Sequence, residues 1–426
     1  MAKKIEPIGR LFGEIDIPGD KSVSHRAIML GSLANGQTSV KGLLDCDDCD
    51  CTIRAFRQMG IALKKKGAIT FIEGKGLKGL TKPAGPINVG NSGTTMRIMA
   101  GILAGQDFES ILTGDESLSN RPMKRITEPL SLMGARIKAR AGEYPPLDIK
   151  GGPINSIDYK LPIPSAQIKS AVLFAGLYAD GVTTVKEDYK SRDHTERMMK
   201  YFGADLRIKD SAVSIKGSRE LKSRSVEIPG DISAASTFMA GAILLKGSRI
   251  RINRVGINPT RAGILNVLSK MGAKVKLLNK TDAYEPFSDI IVEYGRTRGT
   301  IIEEGIIPSI IDELPIIFVL ACLSEGRTVI KGAGELRVKE TDRINSMKEN
   351  LGKMGARLTL KGDDIVIDGV DALSGASLES FGDHRTCMSV AIAALTAKSE
   401  SSIDDIACVG KSFPGFFKAL DVVTCR

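Results

Sequence analysis

The chain has no tryptophan, only 5% aromatic residues, three histidines and no uninterrupted apolar run of membrane-spanning length. Each shortage excludes something. Few side chains can stack on nucleic-acid bases, and no Lys/Arg run exceeds Lys64-Lys65-Lys66. The net charge of +10 therefore fits a small, multiply charged anionic substrate at least as well as a nucleic acid. His25, His194 and His384 have no metal-ligand spacing to one another. The longest apolar region, 306–323, is broken by Pro308, Asp312, Glu313 and Pro315, which argues against a membrane span. The first residues, Met1-Ala2-Lys3-Lys4-Ile5-Glu6-Pro7, lack the apolar stretch of a signal peptide, so a cytoplasmic location is expected. Seven cysteines, odd in number and irregular in spacing, exclude a disulfide framework. Cys46, Cys49 and Cys51 have no second pair nearby to complete a zinc site and are expected to be reduced thiols near a helix start.

What is present is one pattern repeated six times. Its copies begin at Pro18-Gly19-Asp20-Lys21-Ser22, Gly90-Asn91-Ser92-Gly93-Thr94, Pro164-Ser165-Ala166-Gln167, Pro229-Gly230-Asp231-Ile232-Ser233, Ile311-Asp312-Glu313-Leu314 and Gly382-Asp383-His384-Arg385. Each start leads into an Ala/Ser/Met/Leu-rich helical run, then a short strand such as Thr38-Ser39-Val40. A second helical stretch follows and ends on Met59-Gly60, Met133-Gly134, Phe202-Gly203, Met271-Gly272 or Met354-Gly355. The sixth copy is degenerate near Phe413-Pro414-Gly415. The unit reads βαβαββ, an α/β architecture in which helices cover a sheet. The length favours two domains, three copies each, divided near Pro229. Residues before Ile17 belong to no complete copy and are expected to complete the C-terminal domain. Tyr144-Pro145-Pro146 reads as a break between elements.

Two literal motif matches fail on context. Gly74-Lys75-Gly76-Leu77-Lys78-Gly79 fits a dinucleotide fingerprint, but Pro83 and Pro86 fall where a helix must open. Gly410-Lys411-Ser412 ends like a P-loop, but Asp405 occupies the position of its first glycine. Four clusters remain. Lys21, Ser22 and Arg26 place a lysine, a hydroxyl and a guanidinium on a first helical turn, which suits a phosphate or carboxylate. Gly93, among hydroxyl residues at a helix start, lets backbone N–H groups approach an anion. Glu340 lies between Lys339 and Arg343, a carboxyl group able to carry a proton among cations that favour its ionised form. Asp383-His384-Arg385 forms the fourth cluster, with Lys411 downstream, and Asp312 interrupts an apolar stretch either as an N-cap or as a base. Taken singly, the first two clusters read more readily as ordinary capped helices than as a site.

Together with Asn120-Arg121-Pro122, Ser165-Ala166-Gln167, Arg337-Val338-Lys339-Glu340-Thr341-Asp342-Arg343 and Lys411-Ser412-Phe413-Pro414, these clusters resemble the EPSP synthase family over nearly the whole chain. The resemblance implies a two-domain inside-out α/β barrel of the enolpyruvyl transferase type, each domain three βαβαββ repeats. Residues 19–228 would form one domain, and 1–18 with 229–426 the other, with the active site in the cleft between them. It implies transfer of the enolpyruvyl group of phosphoenolpyruvate to the 5-hydroxyl of shikimate-3-phosphate, without metal or organic cofactor. Ser22, Arg26, Ser165, Gln167, Lys339 and Asp312 would contact shikimate-3-phosphate, with Arg192 a further phosphate contact. Lys21, Gly93, Arg121, Arg343, Arg385 and Lys411 would hold phosphoenolpyruvate. Asp312 would be the base and Glu340 the proton carrier, with Lys21 and His384 nearby. Glyphosate would compete with phosphoenolpyruvate, because Gly93 leaves that site uncrowded. A monomer is expected, with no nucleic-acid or membrane partner.

The chain departs from the family pattern at Ala166, where many members have serine, in the segment Ser191-Arg192-Asp193-His194-Thr195-Glu196, and at Glu335, where many have asparagine. All three departures are expected to lie away from the chemistry. The nearest rival is the related transferase acting on UDP-N-acetylglucosamine, which carries Lys-Asn where this chain has Lys21-Ser22 and usually a loop cysteine. A basic nucleic-acid-binding repeat protein is the more distant alternative and would bind with strong salt dependence.

Overall fold

A computed structural model describes residues 2–281 and 283–425. The chain divides into two compact units, Gly19–Ile228 and Met1–Pro18 with Pro229–Arg426.

In the continuous unit, helices Lys21–Leu33, Gly93–Ala104 and Ala166–Gly176 are buried almost all round. Their sequences explain this: small and aliphatic residues surround the axis, so no polar face demands water. Small residues also let the backbones close up. A Cβ on Gly101 would stand 2.1 Å from the Ala171 carbonyl oxygen, so only glycine permits the approach of the second helix to the third. The longer outer helices of this unit, Asp47–Gln58, Lys124–Leu132 and His194–Tyr201, bury one face each.

Three sheets enclose the buried helices. Each sheet has a parallel pair followed by antiparallel strands, and in the second and third copies that pair is joined through a buried helix. In the second copy Ile87–Asn88 runs parallel to Glu109–Thr113, which pairs antiparallel with Tyr144–Lys150, which pairs with Arg136–Arg140. The third copy repeats that order with Asp158–Lys160, Val182–Lys186, Ala212–Lys216 and Asp205–Lys209. In the first copy the parallel partner of Ala34–Lys41 comes from the end of the unit, as Leu221–Lys222 and Ser225–Glu227. Strand Arg136–Arg140 alternates exposed with half-buried residues, the pattern of a sheet wet on one side.

The discontinuous unit has the same plan, with buried helices Ile232–Leu244, Leu314–Cys322 and His384–Leu395. Its first sheet takes Arg10–Asp16 as the parallel partner of Arg249–Gly256, so the chain's beginning supplies a strand for its second half. Its last sheet is reduced to Lys3–Ile5, Ser401–Ile403 and Ser377–Leu378, which is the structural form of the degenerate sixth copy. A cluster of Phe238, Phe413 and Phe416, with ring centroids 5.7–6.1 Å apart, packs where that copy departs from the others. The α/β reading of the six copies and the inside-out arrangement implied by the resemblance are both observed.

The recurring Met-Gly signature has one backbone cause. Gly60, Gly134, Gly203, Gly272 and Gly355 have φ of 85°, 95°, 92°, 79° and 91°, the left-handed conformation that ends a helix. One expectation is corrected. Tyr144-Pro145-Pro146 begins the strand Tyr144–Lys150 and does not separate elements. The ladder shifts register between Ala139 and Arg140, so the prolines fall at the strand's start beside an irregularity, where missing N–H donors are tolerated.

Candidate active site

Each unit carries its own group of charged and polar residues at the starts of its buried helices. In the continuous unit Asp20 caps the first helix, its Oδ1 accepting from the Val23 N–H at 2.9 Å. Lys21 and Ser22 open that helix, half-buried. Lys21 Nζ lies 3.0 Å from Asp48 Oδ2. Arg26 points into the protein. Its Nε donates to Thr195 Oγ1 at 2.6 Å, Nη1 to the Ser22 carbonyl at 2.9 Å and Nη2 to Ser170 Oγ at 2.9 Å. It thereby ties the first buried helix to the third and to the outer helix His194–Tyr201.

Ser92 caps the second helix and Gly93 is its first residue. A Cβ on Gly93 would meet Arg97 Nη1 at 2.7 Å and Arg121 Nη1 at 3.5 Å, so this glycine leaves room beneath two guanidinium groups. Arg121 is steadied by Asn91 Oδ1 at 2.8 Å and Ser117 Oγ at 3.1 Å. Arg97 Nη1 donates to Gln167 Oε1 at 2.9 Å, and Gln167 Nε2 donates to Thr94 Oγ1 at 3.1 Å. Gly93, Arg121 and Gln167 are thus gathered around Arg97. Ser165 caps the third helix through the Ile168 N–H, so its hydroxyl already has a backbone partner. Arg192 is half-buried in the segment before His194–Tyr201. Buried Lys169 pins that segment, standing 2.7 Å from both Glu187 and Glu196 and donating to the Ser191 carbonyl at 3.3 Å.

In the discontinuous unit the centre is Arg343, 1% exposed. Its Nε donates to Asp383 Oδ2 at 2.9 Å, Nη1 to Asp312 Oδ1 at 3.1 Å and Nη2 to Glu340 Oε2 at 2.6 Å. Burial opposes its charge, but the carboxylates of Asp383, Glu340 and Asp312 outweigh that and raise its pKa. Of the two roles open to Asp312, capping is not the one observed. Glu313 is the residue next to Leu314–Cys322, and its carboxylate accepts from Arg261 Nη1 at 2.7 Å. Asp312 instead sits between Arg343 and Arg261, whose Nη2 is 3.9 Å away.

Asp383 has two tasks. Its Oδ1 caps helix His384–Leu395 by accepting from the Arg385 and Thr386 N–H groups at 2.7 and 3.2 Å, while Oδ2 holds Arg343. His384 and Arg385 open that helix, both buried, and Arg385 Nε has no hydrogen-bond partner among the described residues. A buried guanidinium N–H left open in this way suits an incoming anion. Lys411, at the end of the turn Ala407–Lys411, donates to the Gly382 carbonyl at 2.8 Å beside the same helix start. Lys339 is a quarter exposed, and burial lowers its ammonium pKa against the pull of Glu335 and Asp312. Glu335 therefore corrects an expectation: its Oε1 is 3.4 Å from Lys339 Nζ, inside the cluster and not apart from it.

Arg97 and Arg261 were not nominated from the sequence, although both organise these groups. Arg97 had a readable signal, being four residues after Gly93 on the same helix face. Arg261 had none, because its partners Asp231, Asp312 and Glu313 are distant in sequence. Among the described residues no three His, Cys, Asp or Glu side chains gather as a metal site.

Residues 5–420 match the family described as EPSP synthase (3-phosphoshikimate 1-carboxyvinyltransferase). The 3-phosphoshikimate 1-carboxyvinyltransferase of Geotalea daltonii is 49% identical over 421 residues, 98% of each chain. The protein of the same name from Geobacter sulfurreducens is 48% identical over 422 residues, covering 99% of this chain and 98% of that one. A solved structure of EPSP synthase from Acinetobacter baumannii superposes with a TM-score of 0.89 at 41% identity, covering 99% of this chain and 98% of that one.

Proposed function

The chain belongs to the EPSP synthase family, and on that premise we propose that it transfers the enolpyruvyl group of phosphoenolpyruvate to the 5-hydroxyl of shikimate-3-phosphate, releasing phosphate. One observation carries the mechanism: Asp312 and Glu340 occupy Nη1 and Nη2 of a single buried guanidinium. The reaction must remove a proton from a hydroxyl and add one to C3 of the enol. Asp312 takes the first proton, and Glu340, which must enter the step as the neutral acid, supplies the second. One carboxylate is neutralised as the other ionises, so the charge facing Arg343 is the same before and after addition, and the site need not reorganise around a changed charge. The tetrahedral intermediate then loses phosphate from C2 and a proton from C3, which restores the carbon–carbon double bond; the Glu340 carboxylate, ionised in the addition step, takes that proton back.

The other roles are those the family resemblance implies. Lys21, Gly93, Arg121, Arg343, Arg385 and Lys411 hold phosphoenolpyruvate, and the open Nε of Arg385 supports that role. Ser22, Arg26, Ser165, Gln167, Lys339 and Asp312 hold shikimate-3-phosphate, with Arg192 as a phosphate contact and His384 near the reacting groups. The protein works in the cytoplasm as a monomer. Glyphosate competes with phosphoenolpyruvate, since Gly93 presents no side chain to the ligand.

The test is phosphate release from phosphoenolpyruvate in chelator-treated buffer. Release with shikimate-3-phosphate and none with UDP-N-acetylglucosamine is expected. The reverse would keep the fold and overturn the substrate. Glyphosate should raise the apparent KM for phosphoenolpyruvate, and full activity at millimolar glyphosate with limiting phosphoenolpyruvate would refute competition.

A further inference from the structure

Cys46 and Cys49 take no part in the chemistry above, yet their placement is specific. Cys46 is the N-cap of helix Asp47–Gln58, in extended conformation with φ −155° and ψ 161°, and its side chain makes no capping bond. Its carbonyl accepts from the Asp50 N–H at 2.9 Å, which places Cys49 at the third helical position. Side chains at these two positions reach toward one another, the geometry that normally lets an N-cap oxygen find the third N–H. Here both positions carry a buried thiol, and the neighbouring Cys49 is the largest influence on the Cys46 pKa. Three residues at a helix start span a distance compatible with a disulfide, about 4.4–6.8 Å between Cα atoms. Cys51 faces elsewhere, its sulfur accepting from Arg54 Nη2 at 3.0 Å.

Asp48 lies between the two cysteines in sequence and forms the ion pair with Lys21. We propose that Cys46 and Cys49 are a peroxide-sensitive dithiol whose closure to a disulfide displaces Asp48 and weakens the hold of Lys21 on phosphoenolpyruvate. The Cys46 sulfur is the attacking group. The neighbouring Cys49 thiol lowers its pKa, burial opposes this, and the Lys21 charge assists, while the Cys46 sulfur and full burial raise that of Cys49. The Cys46 thiolate attacks one peroxide oxygen, the O–O bond breaks and hydroxide leaves, giving a sulfenic acid. The Cys49 sulfur then attacks the Cys46 sulfur, forming the S–S bond and expelling water as its proton is lost. In sum, two thiols and one hydrogen peroxide give one disulfide and two waters.

The Lys21 half of this inference rests on the proposed function; the dithiol half does not. The full-length protein is titrated with hydrogen peroxide, the disulfides are located by peptide mapping, and steady-state kinetics are measured for both substrates. Mapping is needed because Cys387 and Cys408 are also neighbours, both within 4.0 Å of the Asp405 carbonyl oxygen. The expected result is a Cys46–Cys49 link, a several-fold rise in the KM for phosphoenolpyruvate with little change for shikimate-3-phosphate, and reversal by dithiothreitol. Cys46→Ser places a good capping residue at the N-cap, and Cys49→Ser is a second, independent variant; both should keep basal activity and lose the response. Absence of the link after peroxide treatment overturns the dithiol whatever the activity. A complete link with unchanged kinetics overturns the coupling to Lys21. Reduced protein that releases no phosphate overturns the function on which that coupling rests, and mapping still decides the dithiol.

Discussion

Asp312 and Lys21 make opposite demands on their surroundings, and substitution should separate them. Asp312 accepts from a buried arginine that keeps two other carboxylates, so its loss leaves Arg343 compensated. Asp312→Ala should therefore reduce kcat by about 10²–10⁴-fold while the thermal unfolding midpoint shifts little; collapse of the fold would make Asp312 structural. Lys21→Ala should act mainly on phosphoenolpyruvate, raising its KM more than that of shikimate-3-phosphate, and unchanged kinetics would remove Lys21 from the site. What the sequence conveyed at this scale was charge at helix starts. Lys21, Glu340 and Arg385 could be nominated because each sits in a short polar motif. Arg261 could not, since it acts only through side chains that tertiary folding brings to it. Glu335 was placed wrongly for a related reason: its four-residue spacing to Lys339 becomes a contact only once the turn Gly334–Val338 forms.

Helices of the continuous unit are joined by a line of polar side chains. His25 Nδ1 is 2.7 Å from Thr52 Oγ1, Thr52 Oγ1 is 2.7 Å from Thr95 Oγ1, and Thr95 Oγ1 is 2.6 Å from Ser92 Oγ. This line connects the first buried helix, the cysteine-bearing helix and the cap beside Gly93. Full burial is the main reason the His25 pKa falls to about 3, and the charges of Lys21 and Arg26 add to it against the pull of Asp48. Folded protein therefore holds His25 neutral, whereas the unfolded chain protonates it below about 6.5. Stability from this group is complete above that value and declines as pH falls toward 3, by up to about 1.4 kcal/mol per unit. Urea unfolding of the wild type and His25→Gln at pH 7.5 and 5.5 should show a larger loss for the wild type; parallel losses would sink the assignment. Elements were legible from period and punctuation, most clearly where Met-Gly closed a helix. They were misread at Pro145-Pro146, because a proline pair signals a break in composition and only the ladder reveals a strand start.

The sixfold repetition made the architecture readable before any contact was known, because each copy alone lacks enough buried surface and must stack against its neighbours. The routing of the chain was harder to foresee, since it depends on which sheet lacks a strand. That routing predicts an asymmetry between fragments. Residues 19–228 contain all three of their sheets and should fold alone, with a cooperative transition by circular dichroism. Residues 229–426 lack Arg10–Asp16, whose Leu11 and Ile15 are buried, and should fold only when residues 1–18 are restored. Equal folding of both fragments would contradict this.

Synthesis runs from one end to the other, so strand Arg10–Asp16 leaves the ribosome long before its partner Arg249–Gly256 exists. At typical elongation rates the intervening 19–228 stretch takes roughly 10–40 s to make. Throughout that interval the nascent chain carries an unpaired strand edge tethered to a segment already able to fold, and a chaperone that shields such edges would find its substrate there.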